Sequence, residues 1–255
     1  MTEIICISNQ IAGSGKTATA VSLAASFALM EKTTLLMDCD PQAAATQWLG
    51  IPDMDQGPSL YDAFMGQALP DDIMKATELD RLHILPSRID LFQAEYKLAV
   101  KPGKEMILSR LARKSSPSFD IIVMDSPSTL GFFTVCTLAA ADWLVIPFQP
   151  TSRGIAALRH LQDVVAIVQK ELNPALRIAG ILVADTGGHQ PQAGTISDDG
   201  LPGGLPSFTT RIPHDKAVPE SFMKSRPVHL HDIMSRGARS YLDFSVELIN
   251  IIYKN

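Results

Sequence analysis

Runs of strand length that are apolar at almost every position alternate along the chain with longer stretches whose apolar residues recur every three or four positions. Ile4-Ile5-Cys6-Ile7-Ser8 is β-rich and leads into a glycine-containing turn. Over residues 17–30 the set Ala20, Val21, Leu23, Ala24, Phe27 and Ala28 keeps helical spacing. Residues 34–37, 82–85, 121–124, 143–148 and 178–184 predict further strands, and 131–141, 155–171 and 235–253 predict helices. Strands that are apolar on both faces must be covered on both faces. The order therefore predicts an α/β fold, a mostly parallel twisted sheet flanked by helices on each side. Neither a repeat nor a linker interrupts it, so residues 1–255 read as one domain. The stretch 185–206, rich in Gly, Pro, Ser and Gln, predicts a mobile loop.

Composition narrows the class. The 255 residues are 46% hydrophobic and 19% charged with a net charge of −5, which excludes a disordered chain, a collagen and a generally basic nucleic-acid binder. No apolar run reaches the ~18 residues of a membrane-spanning helix. Met1-Thr2-Glu3 opens without the basic and apolar regions of a secretory signal. Cys6, Cys39 and Cys136 are odd in number and widely spaced, and read as buried thiols of a reducing cytosol. The expectation is a cytoplasmic globular protein. Its charge is uneven: residues 51–80 carry seven acids and one base, whereas 207–240 carry six bases and three acids. These are solvated faces of opposite sign, or else the basic one meets a polyanion.

The strongest chemical signal is Ala12-Gly13-Ser14-Gly15-Lys16-Thr17, between a predicted strand and a predicted helix. Small residues let successive backbone amides wrap phosphate oxygens, and the helix N-terminus adds partial positive charge. Lys16 is placed to reach the β- and γ-phosphates, and the Thr17 hydroxyl to ligate Mg²⁺. The usual loop has a further glycine where Gln10 stands, so a variant class is indicated. Asp38-Cys39-Asp40-Pro41-Gln42 sets two acids at the end of the next strand, and Asp125-Ser126-Pro127 ends a later one. Carboxyl ends of parallel strands are where ligands bind in this fold class. An acid there can hold Mg²⁺ directly or through water.

These motifs resemble the ParA/MinD group of ATPases, a deviant branch of phosphate-loop proteins, and most of all the ParA partition ATPases. Ile7-Ser8-Asn9-Gln10 with Gly13 to Thr17, the Asp-Pro-Gln ending at 40–42, and Asp125-Ser126-Pro127 with Ile146-Pro147-Phe148-Gln149-Pro150 carry the likeness. Weaker similarity runs through Leu85-Pro86-Ser87, Ile212-Pro213 and Ser235-Arg236-Gly237-Ala238. The resemblance implies an ATPase using ATP and Mg²⁺ that dimerises face to face on ATP and separates on hydrolysis. It makes Gly13, Ser14, Gly15, Lys16, Thr17, Ala18, Ile212 and Pro213 nucleotide contacts, with Thr17, Asp38 and Asp125 on the metal side. Asp40 positions the attacking water, with Lys16 and Asp38 completing the catalytic set.

The signature lysine of that group, which reaches the partner's phosphates, is replaced here by Ile11, and Ala12 stands for a glycine. Turnover is then slow, or another cation such as Arg153 substitutes; alternatively the chain is a nucleotide-gated binding protein with impaired hydrolysis. The resemblance also implies sequence-independent DNA binding, with Arg211, Lys216, Lys224, Arg226, Arg236 and Arg239 as candidates, nucleoid association, and a ParB-like activator or cargo adaptor. A MinD-like membrane anchor is not expected, because residues 247–255 carry a single base. The cysteine spacing does not suit an iron–sulfur cluster, and His229 and His231 read as solvated loop histidines.

Overall fold

The computed structural model describes residues 2–52, 57–115, 118–185 and 204–254. In chain order the elements are β1 (Glu3–Ile7), α1 (Lys16–Leu29), β2 (Thr34–Asp38), α2 (Ala44–Trp48), α3 (Leu60–Met65), α4 (Pro70–Ile73), β3 (Lys75–Ala76), β4 (Leu82–Leu85) and α5 (Leu91–Lys97). They continue with α6 (Ile107–Ser115), β5 (Ile121–Asp125), α7 (Phe132–Ala140), β6 (Trp143–Phe148), α8 (Ser152–Glu171), β7 (Arg177–Val183), α9 (Ala217–Met223), α10 (Val228–His231) and α11 (Arg236–Lys254). The strands form one sheet in the order β3-β4-β2-β5-β1-β6-β7. All neighbours are parallel except β3, which runs antiparallel to β4 at the edge.

The period-2 alternation of a strand sorts its residues between two cores. Ile4 and Cys6 of β1, Leu35 and Met37 of β2, and Ile122 and Met124 of β5 face a layer built from α3, α5, α6, α7 and α8. Ile5, Ile7, Leu36, Ile121 and Val123 face the other, built from α1, α2, α10 and α11. The helical stripe of α11, through Ala238, Tyr241, Phe244, Leu248 and Ile252, is buried there. Among the described residues no helix is long and apolar enough to cross a membrane.

The strands expected at 34–37, 82–85, 121–124, 143–148 and 178–184 all form, within a residue at each end. A strand that the pattern did not predict, β3, precedes residues 82–85; its two residues are too few to show a period. Of the expected loop at 185–206, residues 186–203 lie outside the described residues. Beyond it the chain returns to the sheet edge through single parallel bridges, Ile181 with Ser207 and Ala184 with Ile212. This return brings residues 212–213 to the carboxyl end of β7.

Candidate nucleotide site

The phosphate loop is shaped by its glycines and pinned from β6. Gly13 and Gly15 take left-handed φ of 79° and 88°, conformations that cost most L residues about 1–2 kcal/mol. The Asn9 amide donates to the Pro147 carbonyl, and its Oδ1 accepts from the Ile11 N–H at 3.1 Å. Gln149 Nε2 donates to the Gly13 carbonyl at 3.2 Å. Helix α1 starts at Lys16 with no side-chain cap, so its first amides are left to face an anion. The buried Lys16 ammonium donates to the Ile11 carbonyl at 3.1 Å and to the Ser128 hydroxyl at 2.8 Å.

Parallel pairing of β2 with β5 sets Asp38 opposite Asp125. Asp125 is fully buried, and neither carboxylate oxygen has a hydrogen-bond partner among the protein atoms. Burial first, then the Asp38 carboxylate, pushes its pKa well above the ordinary range; Thr17 beside it, short of hydrogen-bond geometry, and the charge of Lys16 pull the other way. Burial likewise lowers the pKa of Lys16, against the raising influence of Asp125 and Asp40. Each group is thus pressed toward its neutral form, which a divalent cation at Asp125 and phosphates at Lys16 would reverse. The orphaned oxygens beside the Thr17 hydroxyl fit a magnesium ion that keeps several of its waters.

Asp38 is otherwise engaged. Its Oδ2 accepts the Thr46 N–H at 2.8 Å and hydroxyl at 2.7 Å, and its Oδ1 accepts the Asp40 N–H at 3.2 Å. Burial leads in raising its pKa to about 6. The neighbouring Asp40 is half-buried and lines an open cleft of about 630 Å³ with Ala12, Ser128, Ile89, Phe92 and Leu130. Gly15, Ala18, Ile212 and Pro213 meet in a separate cavity of about 190 Å³ with Trp48 and Tyr241. The phosphate loop therefore lies between a pocket with the lining expected for a nucleoside and a cleft holding the expected hydrolytic carboxylate.

Other expected residues are dispersed. Arg211, Lys216, Lys224, Arg236 and Arg239 are exposed, whereas Arg226 is half-buried and paired with Glu78 at 3.0 Å. That pair joins the basic stretch to the acidic one. Ile11 is half-buried, and Arg153 is exposed in the first turn of α8, shortly after Gln149. The expectation of solvated loop histidines is corrected: His229 is 4% exposed within α10, its Nε2 3.1 Å from the Ser26 hydroxyl, because α10 packs on α1. His231 sits 3.5 Å from Glu220. No group of three or more His, Cys, Asp or Glu among the described residues is arranged to hold a metal. The three cysteines are free and buried, and burial raises each thiol's pKa, that of Cys6 to about 12. Sequence reasoning did not single out Thr46, Ser128 or Trp48, which touch the site only through tertiary packing.

An uncapped helix behind a glycine loop, with a buried lysine and an orphaned carboxylate at the ends of parallel strands, defines a phosphate-loop nucleotide-binding protein. A family model described as an AAA domain matches residues 2–178. The chain is 35% identical over 249 residues to the sporulation initiation inhibitor protein Soj of Bacillus subtilis (strain 168), covering 97% of this chain and 98% of that protein. It is also 35% identical over 249 residues to the chromosome partitioning protein ParA of Myxococcus xanthus (strain DK1622), covering 97% of this chain and 88% of that one. Among solved structures, cobyrinic acid a,c-diamide synthase from Mycobacterium smegmatis with bound ATP analog and magnesium matches with a TM-score of 0.84 at 26% identity, over 98% of this chain and 95% of that one. The chain belongs to the Soj/ParA family of phosphate-loop ATPases.

Proposed function

We propose that the protein is a ParA-like ATPase that dimerises on Mg-ATP, binds DNA without sequence preference, and positions a plasmid, a chromosome region or a protein cargo. A ParB-like activator or cargo adaptor stimulates its slow hydrolysis, and it works in the cytoplasm on the nucleoid. The observation that carries the reading is the meeting of the Lys16 ammonium, the Thr17 hydroxyl and the donor-less Asp125 carboxylate at the start of α1. The family's ParA and Soj members support the positioning role.

Residues of this chain divide the work. The amides of Gly13, Ser14 and Gly15 cradle the phosphates, and Lys16 grips the β- and γ-oxygens. Thr17 and Asp125 hold magnesium, which when bound neutralises charge on those oxygens. Asp40, at the cleft, orients the attacking water, and Asp38 braces Asp40. Ala18, Ile212 and Pro213 enclose the nucleoside. The products are ADP and phosphate.

Ile11 favours a second reading, a nucleotide-gated binding protein that barely hydrolyses, because an aliphatic side chain supplies no cation across the dimer. Arg153 can replace it only if dimerisation brings the start of α8 to the partner's phosphates. Single-turnover hydrolysis of Mg-ATP with and without duplex DNA separates the two. The proposal expects measurable turnover that DNA alters, and about a tenfold loss in Arg153→Ala, a conservative share of what a cation in trans can contribute. Tight Mg-ATP binding without turnover establishes the second reading, and an unchanged rate in Arg153→Ala removes that arginine from the site.

A further inference from the structure

The carboxylate expected to orient water does not stand alone. Asp40 lies two residues past the end of β2, on a segment that turns back sharply into α2. Its own Oδ1 accepts the Gln42 N–H at 2.9 Å, and its carbonyl accepts the Ala43 N–H at 2.9 Å. Ala43 holds a left-handed φ of 54° to make that turn, a conformation in which an alanine is strained. The Asp40 backbone is tied to the sheet through its N–H, which donates to Asp38 Oδ1. Whatever fixes the Asp38 carboxylate therefore helps to fix the Asp40 backbone.

Thr46 is what fixes it. Both its N–H and its hydroxyl donate to Asp38 Oδ2, at 2.8 and 2.7 Å, and both side chains are buried. The direction of the hydroxyl bond is determined, because Thr46 Oγ1 also accepts the Ser87 N–H at 3.0 Å and its single proton is committed to Asp38. Ser87 belongs to the β4–α5 connection, and Ile89 of that connection lines the same cleft as Asp40. One hydroxyl thus joins three segments that converge on the hydrolytic side of the site: the end of β2, the first turn of α2 and the loop after β4.

We infer that Thr46 is a positioning residue for hydrolysis, holding Asp38 so that Asp40 faces the water it orients. The inference rests on the hydrolytic reading above. Thr46 touches neither the phosphate loop's Lys16 contacts nor the nucleoside cavity, so its influence falls on the chemical step and spares binding. Displacements of about 1 Å in a catalytic group can cost roughly a hundredfold in rate.

The experiment compares wild type with Thr46→Val, Thr46→Ala and Thr46→Ser, using Mg-ATP calorimetry for affinity and single-turnover hydrolysis at saturating Mg-ATP for rate. In Thr46→Val and Thr46→Ala, a charge-assisted hydrogen bond is lost and the Ser87 amide loses its acceptor. Their rate is expected to fall roughly ten- to a hundredfold, with affinity kept within about threefold. Thr46→Ser, which retains Oγ, is expected to recover to within about threefold of wild type. The inference is overturned if Thr46→Val hydrolyses like wild type, if affinity falls as far as rate, or if Thr46→Ser is as impaired as Thr46→Val. Loss of binding and of a cooperative melt in both Thr46→Val and Thr46→Ala assigns the residue to folding alone and also overturns it. A wild-type chain that binds Mg-ATP but never turns it over defeats the hydrolytic reading itself, and this role with it.

Discussion

Replacing Lys16 by alanine is expected to weaken Mg-ATP binding by about a hundredfold or more while leaving the fold intact. The side chain is buried, and its ammonium makes two hydrogen bonds to the protein, so one N–H remains for a phosphate oxygen. A hydrogen bond to a charged group contributes about 1.5–3 kcal/mol, and losing that bond together with the ammonium's charge beside the phosphates makes about a hundredfold change a reasonable expectation. The fold survives because the α1 backbone and its apolar face, Val21, Leu23, Ala24 and Phe27, do not depend on the ammonium. Loss of the cation also removes the positive charge that lowers the Asp125 pKa, which raises its proton affinity further and weakens the metal side of the site. Calorimetric titration with Mg-ATP, beside a thermal melt of the free protein, measures both effects. Binding within threefold of wild type would remove Lys16 from the phosphates and undo the nucleotide reading.

The fold was legible wherever an element was long or buried on both faces. β5, up to its final Asp125, and β6 are apolar because helices cover both sides, and α1, α8 and α11 run for 14 to 20 residues, long enough for their period to show. The region between β2 and β5 was not legible in the same way. Its helices, α2 to α6, span four to nine residues, and several are set by contacts their own sequence does not announce. Helix α2 begins after a left-handed alanine and is held by Asp38, eight residues before Thr46.

At the site, residues bound to backbone function were readable as a local string: the glycines, Lys16, Thr17 and the acids that end strands. Residues that act by meeting across the fold were not. Ser128 reaches Lys16 across 112 positions and Ser87 reaches Thr46 across 41, so neither has a short-range pattern. The lining proposed for the nucleoside is intermediate: Ile212 and Pro213 were expected by family likeness, and the bridge of Ile212 to Ala184 brings them into one cavity with Gly15 and Ala18. His229 failed for the opposite cause. With Pro227 and His231 two positions to either side it looks like loop, but α10 turns it inward onto α1.

That buried histidine should make the folded chain sensitive to acid. Burial lowers the His229 pKa from 6.5 to about 4, with the ring enclosed against Ser26 and only the Ala238 backbone pulling the other way. With the folded value below the unfolded one, the unfolded chain binds more protons between those limits. The stabilisation is complete above about pH 6.5 and is lost progressively as the pH falls toward 4. By pH 4.5 the loss amounts to roughly 2–3 kcal/mol. Asp38 works in the opposite sense: its pKa is raised to about 6, so its contribution favours the fold at low pH and disappears as the pH rises through that value. The two slopes oppose each other, and the wild-type profile alone is a poor test. A His229→Gln variant, whose amide can still meet the Ser26 hydroxyl but does not titrate, isolates the histidine. Denaturant unfolding at pH 7 and pH 4.5 is expected to show the variant losing roughly 2–3 kcal/mol less than wild type over that interval. Equal losses in the two proteins would mean that His229 is hydrated in solution and that α10 does not close on α1 as the structure has it.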